Sequence, residues 1–195
     1  MFDVIRQDLE IFEEELAQAV VSETALITDV GKHLISSGGK RLRPALFLLT
    51  ARGGASFAYA RALPIAIALE LIHTASLVHD DVIDEAKTRR GKPTLGAIFD
   101  NRVAVLMGDF VLSSALIGAI ALGDLRIIGI VSAIGRELTE GEIRQAESAD
   151  KVRLDEANYY EIIYQKTAVL FRSCAEVAAI TMEATPEALE QAIQI

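Results

Sequence analysis

The sequence predicts one all-α domain of six to eight helices spanning residues 1–195. Three observations point there. Apolar residues recur at spacings of three and four along most of the chain, only four prolines interrupt it, and runs of alternating β-branched residues are absent. With 51% hydrophobic and 24% charged residues, the 195-residue chain can bury a core and is too apolar to be disordered.

Phe2, Ile5, Leu9, Phe12 and Leu16 mark the apolar face of a first helix. A second is expected over Glu23–Ser36, broken by Ser36-Ser37-Gly38-Gly39. Pro44 suits the first turn of the next, which Gly53-Gly54 ends. A long apolar segment runs from Phe57 to Glu85, with Pro64 near its start or at a kink, and a basic loop follows from Lys87 to Pro93. Apolar helices are expected near Val103–Ala121 and Leu125–Ser148, and a last long one near Leu154–Met182. Thr185 and Pro186 read as the cap and first position of a further helix that has barely started at Ile195.

Several classes of function are set aside by composition. A net charge of −9 argues against a general nucleic-acid binder. The single cysteine, Cys174, excludes an intramolecular disulfide and a cysteine-based zinc site, reads as a small core residue and fits a reducing compartment. No secretory signal is visible, and a cytoplasmic location is expected. Val103–Gly123 is apolar enough to suggest a membrane span, but Asp109 lies within it, and a charge near the bilayer centre costs about 2.5–3.5 kcal/mol. The segment is therefore expected to be a buried helix, apolar all round, with Asp109 capping or pairing inside the bundle and no stable membrane insertion.

The chemistry concentrates in His73-Thr-Ala-Ser-Leu-Val-His79-Asp80-Asp81-Val-Ile-Asp84. Asp80 and Asp84 are four apart and share a helix face; Asp81 and Asp84 are three apart. Clustered carboxylates repel one another and favour a cation between them, and oxygen-only ligands on an open site suit Mg²⁺ with substrate phosphates. The same spacing also suits a solvated acidic helix end. Of the 19 Lys and Arg residues, seven lie in two loops: Lys40, Arg41 and Arg43 after Gly38-Gly39, and Lys87, Arg89, Arg90 and Lys92 after the acids. Acids that hold a metal beside bases that hold phosphate oxygens are what a Mg²⁺–diphosphate group requires, although the two sets could equally pair as surface salt bridges. By itself His73, on an apolar helix, reads as a satisfied core histidine, and His79 as structural.

The blocks Gly-Gly-Lys40-Arg41-Leu-Arg43-Pro44, Glu70-Leu-Ile-His73 through Asp84, Arg89-Arg90-Gly91-Lys92-Pro93-Thr94, Gly108-Asp109-Phe110, Gly141-Glu142-Ile143-Arg144-Gln145 and Lys166-Thr167-Ala168 together resemble the trans-type polyprenyl diphosphate synthases, in that family's order. The resemblance implies the antiparallel helical bundle of isoprenoid synthases. It also implies a prenyltransferase that condenses isopentenyl diphosphate head-to-tail with an allylic diphosphate, with Mg²⁺ as cofactor. It places Asp80 and Asp84 on the metal ions and Arg89 on the allylic diphosphate. Lys40, Arg43, His73 and Arg90 would hold isopentenyl diphosphate, and Lys166 and Thr167 would reach the allylic diphosphate from the opposite wall. Gln145 would lie near the developing carbocation, and Asp81 would support the site through hydrogen bonds. Ser76 and Ala75, four and five residues before Asp80, sit roughly 6–7.5 Å along the helix from it. Both are small where short-chain relatives carry an aromatic floor, so a long-chain product is expected.

Family members run to about three hundred residues and carry a second aspartate-rich motif, whereas these 195 residues hold one D-D-x-x-D block. The C-terminal helices are therefore expected to be missing, and this form to be inactive or weak. A homodimer through helices around 94–121 is implied. The alternatives are a non-catalytic subunit of a heteromeric synthase and a terpene cyclase of similar fold; the Gly-Gly-Lys-Arg-Leu-Arg-Pro block argues against the cyclase, which needs no isopentenyl diphosphate site.

Overall fold

A computed structural model describes residues 3–54, 57–149 and 156–194; Phe2 and Leu154, named above as helix positions, lie outside them. After one 3₁₀ turn at Asp3–Ile5, helix α1 (Arg6–Gln18) buries Phe12 and Leu16, and Ile5 is buried just before it. Helix α2 (Ala25–Ser36) and helix α3 (Leu42–Arg52) follow, with Pro44 in the first turn of α3 as its missing N–H permits. The 25-residue helix α4 (Tyr59–Ile83) accepts Pro64 near its start and buries Ile65, Leu69, Ile72, Ala75 and Val78. It runs through the centre of the fold and touches α1 and α3.

The basic loop is a β-hairpin, which the sequence reading missed. Thr88–Arg89 (β1) pairs antiparallel with Lys92–Pro93 (β2), Arg89 opposite Lys92. Both residues of its two-residue turn have positive φ, 52° at Arg90 and 77° at Gly91, the pattern of the turn that matches strand twist. Thr94 then caps α5 (Leu95–Ile98) and donates its hydroxyl to the Ala86 carbonyl at 2.8 Å, closing the base of the hairpin.

Helix α6 (Asn101–Ile120) starts at Asp100, which accepts from the Val103 N–H, and packs along α4. Helix α7 (Leu125–Ala149) is followed by α8 (Glu156–Ile163), a π turn at Tyr164–Ala168, and α9 (Val169–Thr181), so the expected last long helix is interrupted. Helix α9 packs on α3, α4 and α7. Thr185 caps α10 (Pro186–Ile193) with Pro186 in its first turn, as predicted.

Helix α6 corrects one expectation. Four of its buried residues are small, Ala104, Gly108, Ala115 and Ala119, which let it approach its neighbours closely; Met107 and Val111 are buried with them, while several other large side chains point outward. Leu106 is 62% and Ile117 68% exposed, and the Asp109 side chain, expected inside, is 62% exposed. Helices α4 and α6 are both long and apolar enough to cross a membrane, but 61% of the apolar stretch of α4 is buried within the fold against 33% of that of α6.

The N-terminal helix is pinned by a charge pair. Asp8 is fully buried and accepts from Arg52 Nε at 2.9 Å and Nη2 at 2.5 Å, and from the Tyr59 hydroxyl. The Arg52 guanidinium stacks over Phe57 at 4.4 Å. Arg52 first, then Tyr59, hold the Asp8 carboxyl below its ordinary range against the opposing effect of burial. Arg52→Ala strands that carboxylate and should cost about 2–3 kcal/mol in urea unfolding at pH 7, less than a fully buried pair because Arg52 is itself half open to water. Because the folded-state pKa is depressed, the contribution is present above the ordinary value near 3.8 and is lost as pH falls through the folded value. The gap between variant and parent should therefore shrink on acidification, and a constant gap would refute the assignment.

Candidate functional site

Asp80 and Asp81 lie in the last turn of α4 and Asp84 is its C-cap. This is the negative end of a helix, so three carboxylates there need compensation. Asp81 turns to the hairpin, where Arg89 Nε donates to its Oδ1 at 2.8 Å. Asp80 is half-buried and faces the other way. Burial pushes its carboxyl above the ordinary range, and Glu142 and Asp84 add to that, outweighing Lys166 and Arg89. Asp84 is exposed.

Opposite Asp80, the π turn carries Lys166, whose Nζ lies 2.5 Å from Glu142 Oε1 and 2.6 Å from Gln145 Oε1, both on α7. Single π turns recur at functional sites because they re-aim side chains. Gln165, buried beside Lys166, accepts from Arg144 Nε at 3.2 Å, and Thr167 follows, exposed. Between α4, α6 and α7 opens a cleft. Asp80, Glu142 and Lys166 line its charged end, and Ile72, Ala75, Ser76, Leu112 and Leu138 its apolar part. Ala75 is 2% exposed and Ser76 spends its hydroxyl on the His73 carbonyl at 2.9 Å, so neither obstructs the passage.

The two basic segments meet. Arg90 Nη1 donates to the Gly38 carbonyl and Lys92 Nζ to that of Ser36 at 3.0 Å. They flank a second, open cavity lined by Gly39, Lys40, Arg43, His73, Arg90 and the Arg41–Glu70 pair. Arg43 lies over the Phe171 ring at 4.7 Å, and its Nε is buried without a partner among the described residues. Burial pushes the His73 imidazole down to about 3, reinforced by Arg43, Arg90, Arg89 and Arg41. It is neutral at pH 7 and presents one N–H donor and one acceptor. An orphan guanidinium donor, a neutral imidazole and an exposed lysine around one cavity form a receptor for an anion.

Sequence reasoning thus identified residues that the fold does bring together, Asp80 and Lys166 on one cleft, and Lys40, Arg43, His73 and Arg90 around one cavity; Gln145 is exposed and reaches the cleft only through its hydrogen bond from Lys166, and neither Asp84 nor Thr167 lines it. Two features escaped it. Glu142, quoted above only as part of a motif, sits between Asp80 and Lys166, and its i, i+3 relation to Gln145 was the available signal. Arg41 is not free for a ligand: it holds Glu13 at 2.5 Å and the buried Glu70 at 2.8 Å, from a backbone position with φ 47°. Among the described residues no three His, Cys, Asp or Glu side chains form a closed metal cage. The open, oxygen-only pair Asp80 and Asp84, in surplus negative charge, suits a hard divalent cation that keeps waters and substrate oxygens.

A sequence profile of the polyprenyl synthetase family matches residues 24–195. The chain belongs to this family. Its relatives include the octaprenyl diphosphate synthase of Escherichia coli K12, 37% identical over 95% of this chain and 57% of that protein. Heptaprenyl diphosphate synthase component 2 of Geobacillus stearothermophilus is 41% identical over 92% of this chain and 56% of that one. Among solved structures, a polyprenyl synthase from Caulobacter crescentus CB15, complexed with calcium and isoprenyl diphosphate, superposes with a TM-score of 0.92 at 32% identity, over 97% of this chain and 58% of that chain. The chain therefore spans less than two thirds of the length of each of these three relatives.

The neutral His73 has a consequence for stability. Between its folded value near 3 and the ordinary 6.5, the unfolded chain binds a proton that the folded chain refuses, so acidification through that window favours unfolding. His73→Gln should flatten the pH dependence of urea midpoints between pH 6.5 and 4. An unchanged slope would show that His73 is not held neutral.

Proposed function

We propose that this chain carries the first part of a Mg²⁺-dependent prenyltransferase active site, in which isopentenyl diphosphate is added head-to-tail to an allylic diphosphate to give a long-chain polyprenyl diphosphate. One observation supports this above the others: an acidic helix end opens on a small-residue cleft on one side and stands beside a basic cavity on the other. Asp80 and Asp84 would hold Mg²⁺, which when bound neutralises the departing diphosphate. Asp81 acts through Arg89, keeping its guanidinium aimed at the allylic diphosphate. Lys166 and Thr167 approach that diphosphate from the opposite wall, with Gln145 beside the cationic carbon as the C–O bond breaks.

Lys40, Arg43, His73 and Arg90 hold the second diphosphate so that the isopentenyl double bond faces the allylic carbon. The new C–C bond forms as that double bond attacks, and loss of one proton, to the released diphosphate, restores the alkene. The apolar walls of the cleft keep water from the cation, and the growing tail passes between Ala75 and Ser76 on α4 and Leu112 on α6. The outward apolar face of α6 supports a homodimer through helices around 94–121, in a cytoplasmic protein without stable membrane insertion. The D-D-x-x-D block stands alone in this sequence, and the 195 residues by themselves are expected to turn over weakly. The name of the Geobacillus relative, component 2, favours one second reading: a member of a two-chain synthase.

Incubation with Mg²⁺, labelled isopentenyl diphosphate and an allylic primer tests the proposal, in a form extended by the C-terminal helices of a relative. Long linear products support it; hydrocarbons would indicate a cyclase, and activity only on adding a second polypeptide the two-chain reading. In the active form Asp80→Asn should cost on the order of 10²–10³-fold in turnover, and retention of full turnover would sink the metal assignment. Ala75→Phe or Ser76→Phe should shorten the product, and unchanged chain length would refute the passage.

A further inference from the structure

His79 precedes Asp80 on α4 and lines the same cleft, yet nothing in the chemistry above uses it. Its imidazole reaches across to α6 and lies directly over Gly108: a Cβ there would stand 2.3 Å from Nε2 and 2.6 Å from Cδ2. No other residue type leaves room for the ring. Nε2 is 3.3 Å from the Val105 carbonyl oxygen and 3.4 Å from Asp109 Oδ1. Both neighbours are acceptors, so the contact suits a ring that carries a proton on Nε2. Val105, Gly108 and Asp109 stand at i, i+3 and i+4 on α6, so the ring engages one face of that helix at three points.

The level of this contact matters. Ser76 stands three residues before His79 on α4, and Leu112 four residues after Gly108 on α6; these two line the cleft from opposite helices. The contact therefore lies between the charged end of the cleft and its apolar part. Met107 and Val111 are buried on α6 beside and three residues after Gly108, but it is Gly108, with no side chain of its own, that receives the ring.

We infer that His79 is a positioning residue: seated over Gly108, it fixes the separation and register of α4 and α6 at the cleft and thereby helps set the length of prenyl tail the cleft admits. The spacer stands on this geometry alone; its effect on tail length rests on the proposed function.

Two measurements on the chain test it. The first uses Ser76→Cys with Leu112→Cys as a ruler, cross-linked with dithiol-reactive reagents of increasing span. Burial pushes the native Cys174 thiol up to about 12, so it does not compete. His79→Ala should shift the best-reacting span to shorter reagents and Gly108→Ala to longer ones, while His79→Gln, whose amide can reach the same two acceptors, should keep the parent span. The second measures, in the form extended by the C-terminal helices of a relative, Mg²⁺-dependent binding of dimethylallyl, farnesyl and geranylgeranyl diphosphates. His79→Ala should lower the preference for the longest over the shortest tail about tenfold, and His79→Gln should restore it. Spans unchanged in both the Ala variants overturn the spacer, and altered spans with unaltered tail preference overturn its effect on tail length. If the extended parent binds none of the three while the spans still shift, the spacer is upheld and the proposed function falls.

Discussion

A long apolar helix that crosses the core must place its charge at its ends, and α4 places three carboxylates at the end where its own carbonyls already concentrate negative charge. That arrangement is electrostatically unfavourable, and the surrounding structure can be understood as its compensation. Arg89 answers Asp81 from the hairpin, and Lys166 stands across the cleft from Asp80. These cations leave a deficit at Asp80, whose carboxyl remains pushed toward its protonated form. A divalent cation at that point removes a cost that folding alone leaves in place.

The opposite signs are kept in separate compartments by the same helix. Cleft and basic cavity open on different sides of α4, with Ala75, Ser76 and Asp80 on one and Glu70 and His73 on the other. If the bases could reach the acids directly, they would neutralise one another and bind nothing. Among the described residues Arg89 bridges, through Asp81, and that bond fixes the hairpin to the helix. Arg41 and Glu70 act similarly within the basic wall: their pairing allows a buried carboxylate to stand beside the cavity without occupying its free donors.

Most helices were legible because their burial pattern follows the apolar spacing, as at Phe12 and Leu16, and because Pro44, Thr185 and Pro186 mark helix starts through local chemistry alone. The acids and bases were legible for the same local reason, since a turn of helix or a short loop determines which neighbours they keep. What stayed hidden depends on contacts distant in sequence. The hairpin at Thr88–Pro93 consists of four paired residues around Arg90-Gly91, too short for any strand periodicity. Helix α6 looked buried on every side because hydropathy counts side chains without regard to where they point; the alanines went inside with Met107 and Val111, and Leu106 and Ile117 did not. Glu142 drew no notice because its significance lies in being opposite Asp80 and Lys166, which the chain achieves only by folding α7 and the π turn together.

Size as well as polarity therefore decides what this bundle can do. Small residues on α6 draw it close to its neighbours, and small residues on α4 keep a passage open beside the acids. These two demands conflict, because helices that approach closely leave no lumen. Both demands are met at different points of the α4–α6 seam. Alanines pack where the core is closed, and an imidazole meets a bare glycine backbone where the cleft begins. A cavity in a close-packed interior does not persist through the absence of atoms, since neighbouring side chains relax into unsupported space. It persists where something rigid holds the walls apart, and a planar ring tied to a carbonyl and a carboxylate on the facing helix meets that requirement.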